Sequence, residues 1–439
     1  MRPILVTSYF ALKFLSHGPR KRFVSSFEFP EQAYQKTVER IQKGGSKVLF
    51  YETTSGSSGA KKEVPYTRSL LRCFQNMFFI WAYDVLTHAP VKLESGKVFM
   101  SISPKIGSEK ADEDSEYLGI AKYLMSQFFA VDPNLNAPNS DEYMWKLCSQ
   151  LVNCRDLEVL SLWSPSYFLA ILDYIEAHQQ KLLGHSSFVP TEQWSQLKMI
   201  SCWTDGQSNL VAQKLKQKFP QVWLQPKGLM ATEAPMTIPW IQAGGSVPLL
   251  SEIPLQLVDL NGHVSSCWEA KVGKTYEVLL STPNGLNNYS IGDLVKVKSY
   301  YKKIPVLEFV GRKNRVSDLV GEKLHEVFVF EALGPLIKQS FILVPQQDYY
   351  LLLTENSQTL EVQKLDEALC GAYHYQLARN LGQLKALKSR SVKNVDHLWL
   401  QFSREQGQLL GDVKPTQLIT RADLAQKFLD YVSKAEAIS

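Results

Sequence analysis

Between Thr54 and Lys62 the chain reads TSGSSGAKK, directly behind the apolar run KVLFYE. A glycine- and hydroxyl-rich turn after a strand aims several backbone N–H groups at one point, so an anion held there meets donors that need no side chain. Gly56 and Gly59 would let the backbone approach that anion without a Cβ in the way. Thr54, Ser55, Ser57 and Ser58 add hydroxyl donors, and Lys61 or Lys62 supplies compensating positive charge. The chemistry this suits is phosphate binding. A flexible Ser/Gly linker has the same composition, yet it fits poorly between an apolar strand and what reads as an immediate helix. Walker A spacing is absent, since only two residues separate the glycines, so a kinase or GTPase of that type is set aside.

Such a loop needs a scaffold, and the remaining sequence alternates strand-like and helix-like stretches. Short β-branched or aromatic runs at Lys47–Tyr51, Lys97–Ser103, Thr275–Thr282, Asp293–Tyr301, Pro305–Gly311 and Asp348–Thr354 predict strands. Apolar spacing of three and four predicts helices over Arg68–Leu86, Tyr143–Leu151, Ser166–His178, Ser208–Phe219 and Thr359–Leu381. The fold class is therefore α/β with largely covered sheets. A chain of 439 residues is too long for one core. Around Gly311 the text turns polar and glycine-punctuated (GRKNRVSDLVGEKLHE), so a boundary there divides residues 1–310 from a smaller unit, 311–439.

Composition excludes several classes. A net charge of +5 against 48 basic and 43 acidic residues points to neither nucleic acid nor an anionic membrane. Six cysteines without CxxC spacing argue against a zinc site or a disulfide framework and suit a reducing cytosol. The N-terminal stretch has a basic start and an apolar middle, but Lys13 interrupts it and no small-residue cleavage site follows, so export is not expected. The most apolar window, Met77–Leu86, carries Asp84 and reads as a buried helix rather than a membrane span. No histidine lies in an HxxxD arrangement and no GxSxG elbow is present, which removes the acyltransferase and serine hydrolase readings.

The loop Ser55-Gly56-Ser57-Ser58-Gly59, with Lys62 after it, resembles the phosphate loop of the adenylate-forming superfamily. Three further stretches resemble that superfamily's landmarks in the same order: GLMATEAPMTIPW, STPNGLNNYSIGDLVKV and FVGRKNRVSDLVGEKLHE. Within it, KEVPYT, MSISPKIG, LSLWSPSYF, GRKNRVSDLVGEKL and QGQLLGDVKP are similar to the auxin-conjugating acyl acid amido synthetases of the Gretchen Hagen three family, above all its shorter bacterial members. The chain departs from the plant enzymes in reading Asn-Asn-Tyr-Ser-Ile where they carry an arginine-rich approach to the Gly-Asp pair.

The resemblance implies a large N-terminal adenylate-forming domain, a small mobile α+β lid, and the use of ATP and Mg2+. It implies roles by position: Thr232 in the nucleotide-binding loop just before Glu233, Glu233 on the magnesium, Tyr289 near the adenine and Asp293 on the ribose hydroxyls. A carboxylate suits that last task because it accepts two hydrogen bonds from a vicinal diol, and a short Gly-Asp turn between strands would fix its direction. Arg312 would contact the nucleotide, Lys313 or Asn314 would be the hinge, and Lys414 would be the lid lysine that bridges acid and phosphate. The implied reaction converts a small carboxylic acid to an acyl-adenylate, with release of pyrophosphate, and passes the acyl group to an amine such as that of an amino acid. A thiol acceptor, or a member that binds nucleotide without turnover, are the alternatives. No obligate protein partner is evident. Trp163, Tyr167 and Trp203 are aromatic candidates either for the acid's pocket or for plain core.

Overall fold

The computed structural model describes residues 3–43, 47–53, 63–100, 105–106, 126–206, 208–355, 357–408, 411 and 413–438. Two helices, α1 (Pro3–Ser26) and α2 (Pro30–Lys43), lead into the antiparallel pair β1 (Val48–Thr53) and β2 (Glu63–Thr67), and then into the long helix α3 (Arg68–His88). The strand β2 was not anticipated: it stands between the glycine-rich loop and the helix expected to follow at once. Its last residue, Thr67, caps α3 by accepting a hydrogen bond from the Leu70 backbone N–H at 3.2 Å. Met77–Leu86 falls inside α3, which buries Leu70, Phe74, Phe78 and Ile80 among others.

A four-stranded parallel sheet follows, with β3 (Lys97–Met100), β4 (Leu157–Ser161), β5 (Met199–Cys202) and β6 (Trp223–Pro226) in that spatial order. Helices α4 (Ser140–Asn153), α5 (Pro165–Ala177) and α6 (Ser208–Lys218) lie between these strands in sequence. Leu147, Leu151, Phe168, Ile171 and Leu215 of these helices cover one face, together with Leu160, Ile200 and Cys202 of the strands. The opposite face carries Val98, Val159 and Met199 and meets Val85 and Trp81 of α3. Burial on both sides leaves β4 and β5 with no exposed alternate face: every residue of LEVLS and MISC is buried, Glu158 included.

The second sheet is antiparallel and has seven strands: β7 (Thr237–Trp240), β8 (Gly245–Pro248), β9 (Leu255–Val258), β10 (Val264–Ser266), β11 (Thr275–Leu280), β12 (Tyr289–Tyr301) and β13 (Ile304–Arg312). Their spatial order is β7-β8-β13-β12-β11-β9-β10. Its apolar face packs on Phe23 of α1, on Phe27 just beyond that helix, and on Cys73 and Ile80 of α3. The buried Glu252 ties these helices down. It accepts from Arg22 at 3.1 Å and from Asn76 at 3.0 Å. The Gly292-Asp293 pair, expected as a turn between strands, lies inside β12 instead; Gly292 has φ +77°, a backbone state that only glycine adopts freely. Kinks of this sort re-aim the next side chain without ending the strand.

The remaining chain builds a mixed three-stranded sheet, β14 (Phe341–Pro345), β15 (Tyr350–Thr354) and β16 (Lys388–Ser391), with helices α7 (Glu326–Ile337), α8 (Val362–Leu369), α9 (Tyr373–Asn380), α10 (Val395–Glu405) and α11 (Ala422–Ile438). The single helix predicted over Thr359–Leu381 is two, α8 and α9. They are separated at Gly371, whose N–H bonds back to Ala368 at 3.1 Å in a turn, where an added Cβ would crowd that same carbonyl. Lys214 of α6 anchors this part to the first sheet through Asp396 at 2.9 Å and Glu355 at 3.5 Å. Among the described residues no helix is long and apolar enough to cross a membrane.

Candidate active site

Thr54, Ser55, Gly56, Ser57, Ser58, Gly59 and Lys62 lie outside the described residues; the strands that carry them do not. Thr53 pairs with Glu63, so the two ends of the loop stand side by side. The exit strand β2 is fastened to two of the other landmarks. Tyr66, fully buried, donates its hydroxyl to the Thr232 carbonyl at 2.5 Å, and Asn284 donates its side-chain amide to the Pro65 carbonyl at 2.8 Å. Thr232 and Glu233 are the two turn residues between Met230–Ala231 and Ala234–Pro235, an antiparallel pair. Glu233 is half-buried there, and among the described residues its carboxylate has no ion pair. Removing the tie by Tyr66→Phe is expected to lower stability by about 1 kcal/mol, the net worth of one such hydrogen bond, read as a shifted denaturant midpoint.

Asp293 and Arg312 are register partners on β12 and β13. The Asp293 carboxylate is 2% exposed and accepts from Arg312 Nε at 3.0 Å. Directly after Arg312, the Lys313 N–H donates to the Gly292 carbonyl at 2.8 Å, and its ammonium pairs with Glu277 at 2.7 Å. Burial raises the Glu277 carboxyl, but hydrogen bonds from Lys313 and Ser290 outweigh it and leave its pKa below the usual value. Tyr289 is half-buried at the start of β12, opposite Leu280. The loop's exit strand, the Thr232-Glu233 turn and the segment that leads into Tyr289 and Asp293 thus meet in one region.

A second cluster lies at the carboxyl ends of the parallel strands, where open α/β sheets place their ligands. Ser161, Ser201 and Gln225 are neighbours in register across β4, β5 and β6 and so share a face. Two positions after each of them stand Trp163, Trp203 and Lys227. Lys227 Nζ donates to Ser161 Oγ at 2.9 Å and lies 4.5 Å from the Trp163 ring centre and 5.8 Å from that of Trp81. Trp81 in turn donates to Gln225 Oε1 at 3.1 Å. From the C-terminal part, Lys414 Nζ sits 5.3 Å from the Trp203 ring centre, and its carbonyl is held by Trp399 at 3.0 Å. Trp163 and Trp203 are 6.0 Å apart. Tyr167, the third aromatic candidate, is core: it is 2% exposed among Leu and Ile side chains.

Burial holds the Lys227 ammonium down to about 8. Since its folded pKa lies below the ordinary 10.5, the unfolded chain binds the extra proton between those values, and this group's contribution to stability rises with pH across that window. A carbon-13 NMR titration of reductively methylated lysines is expected to show one resonance with a midpoint near 8, absent from Lys227→Met.

Two family models match the chain in succession, the GH3 family N-terminal domain over residues 32–185 and the GH3 family central domain over residues 253–312. The chain thus carries two GH3 family domains. The indole-3-acetic acid-amido synthetase GH3.3 of Arabidopsis thaliana is 38% identical over 58 residues, which are 13% of this chain and 10% of that protein. The alignment thus spans about a tenth of that relative. Over the whole fold, the AtGH3.15 acyl acid amido synthetase superimposes with a TM-score of 0.72 at 17% identity, covering 91% of this chain and 85% of that one. A 2-hydroxyisobutyryl-CoA ligase superimposes with a TM-score of 0.52 at 13% identity, covering 88% and 76%. The mixed α/β architecture is that of adenylate-forming ligases.

In this GH3 chain the sequence reading missed Lys227, Gln225, Ser161, Ser201 and Trp81. A signal existed. LEVLS and MISC are buried runs and WLQP a half-buried one, each closing on or near a polar residue that is followed two places on by a tryptophan or lysine. Polar groups at the carboxyl ends of covered parallel strands point to ligand before they point to core.

Proposed function

We propose that this GH3 protein is an ATP-dependent ligase that activates a small carboxylic acid as its acyl-adenylate and transfers the acyl group to the amine of an amino acid. The observation that carries this reading is the double fastening of β2, through Tyr66 to the Thr232 turn and through Pro65 to Asn284. It gathers the ends of the phosphate loop, the acidic turn and the approach to Asp293 around one place. The names of the relatives support the same chemistry.

A carboxylate is a poor electrophile because its charge is delocalised and an oxide would have to leave; joining it to AMP removes both obstacles. The catalytic work is alignment of a carboxylate oxygen with the α-phosphorus and stabilisation of charge as pyrophosphate departs. Lys62 and the loop donors Thr54, Ser55, Ser57 and Ser58 would hold the triphosphate. Glu233, an acid without an ion pair on an open turn, suits a magnesium ion, which takes one or two carboxylates and completes its shell with substrate phosphates. The ion would neutralise triphosphate charge. Asp293 would accept from the ribose hydroxyls beside Arg312, with Tyr289 against the base. The chain after Arg312 would be the hinge of residues 311–439, through Lys313 or Asn314, and Lys414, already over Trp203, would reach the acid's reacting end.

ATP–pyrophosphate exchange over an acid library tests the reading. Exchange with at least one acid, and AMP as the released nucleotide, is the expected result; ADP release would overturn it. Adding amino acids, or a thiol in their place, to the competent acid then identifies the acceptor. An amide is expected, and a thioester formed only with the thiol would move the protein to the other branch.

A further inference from the structure

The cluster at the end of the parallel sheet holds an uncommitted set of donors. Lys227 makes no ion pair with any described carboxylate; its hydrogen-bond partner is the neutral Ser161 hydroxyl. On the same face, Gln225 Nε2 and Ser201 Oγ are buried without a hydrogen-bond partner among the described residues, in residues 1% and 0% exposed. Orphaned buried polar atoms are costly and need an explanation. An ammonium, an amide N–H and a hydroxyl on one face, with no acid among them, form the complement of a carboxylate, whose two oxygens accept several hydrogen bonds at once.

The tryptophans set where that carboxylate would sit. Lys227 lies 4.5 Å from the Trp163 ring and Lys414 lies 5.3 Å from the Trp203 ring, with the rings 6.0 Å apart. One cation therefore stands beside each ring of the pair. If Lys414, beside Trp203, serves the reacting carboxylate, Lys227, beside Trp163, is left for the other end of whatever lies along the rings. A monocarboxylic acid would leave Lys227 and the two orphaned donors unmatched.

We propose that the acid activated here is a dicarboxylate, with an apolar middle on Trp163 and Trp203, one carboxylate at the reacting end near Lys414, and the second held by Lys227 and Gln225. This rests on the ligase reading for the roles of the two ends. Direct binding separates the two claims. Calorimetric titration of the full chain with matched pairs, adipate against hexanoate and terephthalate against benzoate, is expected to show the diacid of at least one pair binding roughly tenfold or more tighter than its monoacid, the scale for a desolvated charge pair. Lys227→Met is expected to erase that difference, and Lys227→Arg, which keeps charge and fold, to retain most of it. Equal binding of diacid and monoacid by the wild type, absence of diacid binding, or a preference that survives in Lys227→Met would each overturn the proposal. Pyrophosphate exchange reports separately on the ligase reading. Should no acid support exchange while a Lys227-dependent diacid preference persists, the ligase reading falls and the dicarboxylate site stands. Should monoacids support exchange as well as diacids in both wild type and Lys227→Met, the reverse holds.

Discussion

Asp293→Ala is expected to lower kcat/KM for ATP by roughly 10²–10³-fold in the exchange assay, the range found when a buried charged partner is truncated. The carboxylate is 2% exposed and already accepts from Arg312 at 3.0 Å. Its removal takes away the acceptor proposed for a sugar diol and strands a half-buried guanidinium beside the cavity left behind. Asp293→Asn separates these effects: the shape and one acceptor remain, the charge does not, so a smaller loss of roughly tenfold is expected. An activity unchanged in both variants would remove Asp293 from the nucleotide site.

Glu158→Ala is expected to destabilise the protein by about 3–5 kcal/mol, seen as a lower denaturant midpoint. Glu158 is fully buried at the start of the parallel sheet. Its carboxylate accepts from the backbone N–H groups of Glu94 at 2.8 Å, Ser95 at 2.9 Å and Gly96, and from Lys198 at 2.9 Å. Alanine would orphan the buried Ser95 N–H, the more accessible N–H groups of Glu94 and Gly96, and a partly exposed ammonium together, the kind of loss that makes single substitutions severe. The turn they form delivers β3 to the edge of the sheet, so the same variant should raise the KM of any acid bound at the far ends of these strands. Melting profiles like the wild type's would show that water replaces the carboxylate without loss.

Much of the scaffold was legible because its elements are strongly patterned. The α3 stripe and the long pair β12–β13 follow directly from apolar period and length, whereas β4 and β5, short and mixed with polar residues, were not among the predicted strands. The misreadings occurred where single glycines or short polar strands decide. EVPYT is too short and mixed to outweigh the helix behind it, Gly371 splits an otherwise continuous helical period, and Gly292 kinks a strand where a turn seemed required. Among site residues, Asp293 and Arg312 could be named from their neighbours in sequence, yet their pairing could not, because register across β12 and β13 depends on irregularities in both strands. Lys227 escaped notice because its meaning is purely spatial. Its chemistry comes from Trp81, Ser161 and Trp163, residues between 64 and 146 positions away.

The pairing of Thr53 with Glu63 holds the two chain ends around residues 54–62 side by side. Tyr66 clamps the strand beyond, and Thr67 starts α3 with its own cap. A designer grafting another sequence between those ends would therefore work from two fixed anchor points set by backbone pairing.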